Sequence, residues 1–253
     1  DTTITINGGT ITAVTNSTGA AIGGGTGQVQ PGGIGNVTIN GGNVYAYNFR
    51  PKNTTIPAAA IGGGGSTTKR GNAGNVTING GYVYAYSRVG TAIGGGSSQD
   101  MQGGDANIII NGGQVIAKSD NGTGIGGGTG SAKNNNNNGG NATVTISGNP
   151  IIRTGSIGGG GKGQQSTGTI GAASITIEEN CNADIQAQFV LAAGIASGAE
   201  VNVIASVDEN EFSLSDTKLL SLNKIAASKI TGLAEHEALT SLKALIDGNA
   251  GNI

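Results

Sequence analysis

Five tyrosines, three loop aspartates and one histidine are the side chains of this chain best equipped for chemistry. The tyrosines fall in two short stretches, Tyr45 and Tyr47, then Tyr82, Tyr84 and Tyr86, at alternate positions. Alternation sends such rings to one side of a strand, and outward rings with polar tips are what a sugar ring stacks against. The competing reading is a patch covered by the loops 49–57 or 88–91, where the tyrosines only support one another as cross-strand neighbours. Asp100 and Asp105 share one loop and Asp120 lies one repeat further on. Two nearby carboxylates could bind calcium, although loop charges are more often simply solvated. His236, in Glu235-His236-Glu237, has no neighbours in sequence that suit a zinc or acid–base role and reads as a surface residue.

The elements that must position these residues repeat. A β-branched triplet running into a polar turn occurs six times, at Ile4-Thr5-Ile6-Asn7, Val37-Thr38-Ile39-Asn40, Val76-Thr77-Ile78-Asn79, Ile108-Ile109-Ile110-Asn111, Val144-Thr145-Ile146-Ser147 and Ile175-Thr176-Ile177-Glu178. Four copies continue as Asn-Gly-Gly. Between copies Ile-Gly-Gly-Gly recurs at Ile22, Ile61, Ile93, Ile125 and Ile157, and Ile22 to Asn40, Ile61 to Asn79 and Ile93 to Asn111 are each 18 residues apart. Self-similarity with a period of about 30–40 residues marks a stacked architecture. Five near-copies with no Gly-Lys-Ser/Thr after them are structural glycines, not phosphate loops, and no nucleophile-elbow motif is present.

Each repeat reads as three short strands. Val37 and Ile39 alternate with Asn36, Thr38 and Asn40, Asn40-Gly41-Gly42 makes a bend, Val44 and Ala46 alternate with the tyrosines, and Ala60-Ile61-Gly62 closes the repeat. Stacked in parallel, equivalent strands lie about 4.8 Å apart. Asn7, Asn40, Asn79 and Asn111 then form an amide ladder, Tyr45 lies over Tyr84, Tyr47 over Tyr86, and Tyr82 beside Asn43. A propeller is the rival, but its blades want four strands and about 40 or more residues. The expected fold is all-β: a right-handed parallel β-helix of three short strands per turn and about six turns over residues 1–180, with a small C-terminal α or leucine-rich capping region. These Gly-rich repeats resemble the right-handed parallel β-helix regions of secreted bacterial surface proteins, polysaccharide-active and adhesin-like.

Composition supports order. Glycine is plentiful at 50 residues, but the apolar residues return at the same place in every repeat, which a disordered chain would not need. Cys181 is the single cysteine, so no internal disulfide or cysteine-based metal cluster can form. No apolar run approaches a membrane span. The chain opens on Asp1, as a processed secreted protein or an excised segment would. Residues through 177 hold nine basic and four acidic side chains, and those from Glu178 onward hold four and eleven. The basic excess is spread thinly, with Lys69-Arg70 its only adjacent pair, so nucleic acid is not an expected partner. The shift near 178 reads as a boundary, followed by an irregular final turn, hairpin or linker at 181–213 and a cap at 214–253.

In that cap Leu219, Leu222 and Ile230 recur as Leu242, Leu245 and Ile253, 23 residues later. The segment resembles bacterial leucine-rich repeats over about 40 residues, departing from them at Gly248-Asn249-Ala250-Gly251-Asn252. Two amphipathic helices, 216–230 and 234–246, account for it equally well. A cap of either kind would cover apolar rungs and unpaired strand edges.

The resemblance implies carbohydrate as the ligand class. The leading expectation is non-catalytic binding of a polysaccharide or cell-surface glycan by Tyr45, Tyr47, Tyr82, Tyr84 and Tyr86, in a secreted or surface-displayed bacterial protein with no inserted membrane segment; whether further domains of a longer chain are partners stays open. No catalytic residues and no cofactor are expected. Three alternatives stay open. A calcium-dependent polysaccharide lyase would use Asp100 and Asp105. A structural spacer or outer domain of a surface assembly, flagellin included, would need no ligand. An ice-binding protein would use the column Thr5, Thr38, Thr77, Thr145 and Thr176, which Ile109 interrupts and Asn36, Asn75 and Asn107 flank. The Asn134–Asn138 run with Gly139-Gly140 reads as a low-complexity loop.

Overall fold

A computed structural model describes residues 1–28, 32–51, 56–130, 138–161, 168–178, 181–190 and 200–203. The first repeat forms β1 (Thr2–Ile6), β2 (Thr10–Thr15) and β3 (Ile22–Gly23), and the second β4 (Gly35–Ile39), β5 (Asn43–Asn48) and β6 (Ile61–Gly62). The third forms β7 (Gly74–Ile78), β8 (Tyr82–Ser87) and β9 (Ile93–Gly94), and the fourth β10 (Ala106–Ile110), β11 (Gln114–Ser119) and β12 (Ile125–Gly126). In the fifth, β13 (Ala142–Ile146) is followed by β14 (Ile151–Gly158), which fuses the second and third strands into one. Then come β15 (Ala173–Ile177), β16 (Asn182–Val190) and β17 (Glu200–Val203).

Every pairing between these strands is parallel and joins equivalent strands of successive repeats. The six triplets make one six-stranded sheet, β1-β4-β7-β10-β13-β15. The second strands make another, β2-β5-β8-β11-β14, which passes through the fused β14 into the third-strand row β12-β9-β6-β3. The chain is therefore a parallel β-solenoid of about five turns, since five intervals separate six copies. Past the repeats the stack continues, because β16 pairs parallel with β14 and β17 parallel with β16. Parallel pairing makes β16 and β17 further rungs of the stack and not the two arms of a hairpin. The leucine-rich region 214–253, with either reading of it, lies outside the described residues.

Alternation explains the core. Inward Val37, Ile39, Val44 and Ala46 are 2% exposed or less, as are Val76, Ile78, Val83 and Ala85 one turn on. Isoleucines from the triplets and from the Ile-Gly corners form ladders through the middle of the coil. Each fully buried isoleucine contributes about 1.5–3 kcal/mol of transfer free energy. Isoleucine and valine suit these rungs because branching at Cβ fits a pleated surface.

The four Asn-Gly-Gly turns need their second glycine, Gly9, Gly42, Gly81 and Gly113. Gly42 has φ 89°, a left-handed conformation that costs a side chain but not glycine. At this bend the asparagines stack as expected: Asn40 Nδ2 donates to Asn7 Oδ1 at 2.7 Å, Asn79 to Asn40 at 2.7 Å and Asn111 to Asn79 at 2.8 Å. The Ser147 hydroxyl ends the row by donating to Asn111 Oδ1 at 2.7 Å. Asn79 both donates and accepts, so Asn79→Ala removes two of these bonds at an exposed site. It is expected to lower unfolding stability by about 1 kcal/mol, read from the urea midpoint; an unchanged midpoint would mean that the ladder follows the stack without holding it.

Candidate functional site

The tyrosines sit on β5 and β8, in the register that parallel stacking requires: Tyr45 pairs with Tyr84, Tyr47 with Tyr86 and Asn43 with Tyr82. Val44, Ala46, Val83 and Ala85 take the inward positions at zero exposure, which turns the rings outward. Each ring is half-buried. Asn48 anchors the end of β5 from inside: it is 1% exposed, and its amide donates to Ala58 O at 3.3 Å and Ala59 O at 3.4 Å. Because Asn48 points in, Phe49 follows the alternation and points out, at 40% exposure.

The rings do not meet their rung partners face on. They lean diagonally, Tyr45 onto Tyr82 with centroids 5.7 Å apart, Tyr47 onto Tyr84 at 5.6 Å and Phe49 onto Tyr86 at 5.6 Å. Tyr47 also stacks on Phe49, 5.4 Å apart with 11° between the planes. Such pairs contribute about 0.5–1.5 kcal/mol each beyond the area they bury. The result is a six-ring patch spanning two turns. Sequence reasoning missed Phe49, although extending the Tyr45–Tyr47 alternation by one more step reaches it.

Neighbouring rungs edge the patch. On one side Thr12 pairs with Tyr45 and Val14, 59% exposed, with Tyr47. On the other, Ile116 pairs with Tyr84 and Lys118 with Tyr86, and the Lys118 ammonium lies 5.9 Å from the centre of the Tyr84 ring, a cation–π distance. The Tyr86 hydroxyl donates to Asp120 Oδ2 at 2.9 Å. Asp120 thus belongs to the aromatic patch, a role that its position in the text did not suggest.

Burial first, and then the hydrogen bond and charge of Asp120, push the Tyr86 phenol above its ordinary range. Burial, followed by the neighbouring Tyr45, does the same to Tyr82. A raised phenol pKa means that the folded state holds its proton more tightly than the unfolded chain. That contribution is complete below the ordinary tyrosine value of about 10 and is lost as pH rises through the folded value. In an alkaline titration followed by tyrosinate absorbance, Tyr86→Phe is expected to remove one late-ionising phenol; loss of an early one instead would contradict the Asp120 contact.

The aspartates of the lyase alternative are placed differently. Asp105 forms an ion pair with Arg70, and its Oδ1 accepts the Asn141 backbone N–H at 2.8 Å. Arg70 Nε also donates to Gly103 O at 3.2 Å. Arg70 and Asp105 border a cleft of about 500 Å³ lined also by Asp1, Ile34, Lys69, Ala73 and Met101 among others. Among the described residues, no three or more of His, Cys, Asp and Glu gather as a metal site would need. His236 lies outside the described residues. The threonine column does stack, Thr5 on Thr38, Thr38 on Thr77, Thr145 on Thr176, with Ile109 between Thr77 and Thr145. Beside it, Asn75 Nδ2 donates to Asn36 Oδ1 at 2.7 Å. Cys181 is buried and free.

Among the described residues no helix is long and apolar enough to cross a membrane. No family model, no curated protein and no solved structure matches the chain.

Proposed function

We propose that the β5–β8 face binds a carbohydrate polymer, and that the protein is a non-catalytic binding or adhesion module, secreted or displayed on a bacterial surface. One observation carries this reading: six aromatic rings, Tyr45 against Tyr82 and the run Tyr84–Tyr47–Phe49–Tyr86, face outward from two adjacent turns, beside hydroxyl, ammonium and carboxylate groups. Sugars present alternating apolar C–H faces and hydroxyl edges, and such a patch complements both. Strand-mounted rings lose little rotamer freedom on binding. A patch two turns long also suits a repeating ligand, which it can meet at more than one residue.

A pull-down against insoluble and immobilised polysaccharides tests it, comparing the wild type with Tyr45→Ala/Tyr84→Ala. Retention of the wild type and release of the double variant are expected; equal retention, or none by either protein, removes the reading. The spacer reading has its own support, because the rings already satisfy one another. It expects the double variant to lose stability while no glycan retains either protein. For the lyase alternative, Asp105 is already engaged by Arg70 and the Asn141 N–H, which leaves it poorly disposed to share a calcium ion with Asp100.

A further inference from the structure

The aromatic face is uneven in charge, and the unevenness bears on the kind of sugar it suits. On the β2 side its neighbours are the uncharged Thr12 and Val14. On the β11 side they include Lys118, and Arg88 follows directly on β8. Arg88 takes the place that Phe49 holds one turn earlier and Asp120 one turn later. Phe49 N donates to Thr15 O at 2.9 Å, Arg88 N to Asn48 O at 2.9 Å and Asp120 N to Ser87 O at 3.2 Å. Two cations and one carboxylate therefore stand at this edge of the patch.

The carboxylate is engaged, since Asp120 Oδ2 accepts the Tyr86 hydroxyl. Burial and Asp120 raise the pKa of that phenol, whereas Arg88 opposes them by charge and hydrogen bond, which places its guanidinium beside the same hydroxyl. Among the described residues no carboxylate lies within ion-pair distance of Lys118 or Arg88. Arg153 is the contrast. It pairs with Ile116 on the next rung, and its guanidinium donates to Asp184 Oδ2 at 2.6 Å, so its charge is met within the protein. Lys118 is exposed, and its ammonium leans back over the patch to lie 5.9 Å from the centre of the Tyr84 ring.

We propose, resting on the carbohydrate reading of this face, that its ligand is an acidic polysaccharide whose carboxylate or sulfate groups meet Lys118 while its sugar rings cover the aromatic side chains. A sugar laid on Tyr84 must also cover the ammonium held over that ring. Neutral hydroxyls would strip water from the charge without replacing it, at a cost in free energy. An acid group offsets that cost with a charge-assisted hydrogen bond. Arg88 lies on the same edge, where its planar guanidinium suits a second acid group. Asp120 repels such a ligand, but one carboxylate faces two cations and is already shared with Tyr86.

Binding to immobilised polysaccharides in matched pairs tests this: polygalacturonate and alginate against their methyl esters, and dextran sulfate against dextran. The wild type is expected to bind at least one acidic member about tenfold more tightly than its neutral partner, the factor that one charged hydrogen bond supplies. Added salt is expected to narrow that gap. Lys118→Gln is expected to close most of it. Asp120→Asn keeps an acceptor for the Tyr86 hydroxyl and removes the like charge, so it is expected to widen the gap about threefold.

Equal retention of both members of every pair, or preference for the neutral member, overturns the proposal and leaves the carbohydrate reading standing. So does a loss in Lys118→Gln that is the same on both members, as support of the Tyr84 ring alone would give, or a gap that Asp120→Asn narrows. Retention of no polysaccharide, acidic or neutral, overturns both.

Discussion

Gly94→Ala is expected to cost more than about 4 kcal/mol and to abolish cooperative folding of the central turns. Gly94 has φ 139°, and a β-carbon placed there would lie 1.9 Å from Gly126 O and 2.9 Å from Gly126 C. The obstacle is backbone from the next turn, so no side chain can swing aside. Shifting that backbone would in turn disturb the Ile93–Ile125 rung and the parallel bonds beside it. A left-handed backbone adds strain of order 1–3 kcal/mol for a residue with a side chain. The measurement is a urea transition followed by far-ultraviolet circular dichroism, with Gly8→Ala as control. Gly8 has open space around it and lies in no strand, so its replacement is expected to stay within about 0.5 kcal/mol of the wild type. Matching midpoints for the two variants would refute close backbone packing at the Ile-Gly corner.

The second large effect belongs to the aromatic face. Tyr45→Ala/Tyr84→Ala is expected to weaken glycan binding by about a hundredfold, or roughly 2–3 kcal/mol. Tyr45 and Tyr84 share a rung, and each leans on another ring, Tyr82 and Tyr47 respectively. Removing the pair takes the ring partner of Tyr82 and one of the two partners of Tyr47, and leaves only the Tyr47–Phe49–Tyr86 stack. Tyr84 also holds Lys118 above its face, so a charged contact leaves with it. Isothermal titration with a retained oligosaccharide gives the affinity, and circular dichroism shows whether the fold is kept. Because the inward Val44, Ala46, Val83 and Ala85 are untouched, the strands are expected to remain. A folded double variant that binds as tightly as the wild type would move the ligand to another face.

Much of this architecture was legible because the solenoid is in register. When equivalent strands stack in parallel, letters at the same place in successive repeats become neighbours in space. The Tyr45–Tyr84 rung, the Asn7–Asn40–Asn79–Asn111 ladder and the interruption at Ile109 were all readable for that reason. Where repetition weakens, legibility weakens with it. The fused β14 follows the loss of the Asn-Gly-Gly turn before it, although it keeps Ile157-Gly158-Gly159-Gly160 at its end, and the parallel layer formed by β16 comes where both signatures are gone. Phe49 lies one step past a strand end, where alternation continues only because Asn48 is hydrogen-bonded inside.

By itself, then, the sequence determined the period, the inward and outward face of each strand, and the residues that share a rung, since these follow from repeat spacing and alternation. Tertiary structure alone decided how side chains tilt between rungs, which way the amide row points, and that Asp105 turns to Arg70 while Asp120 turns to Tyr86. A repeat defines where a Cβ sits; where the rest of the side chain goes depends on contacts with loops and rungs that differ from one turn to the next.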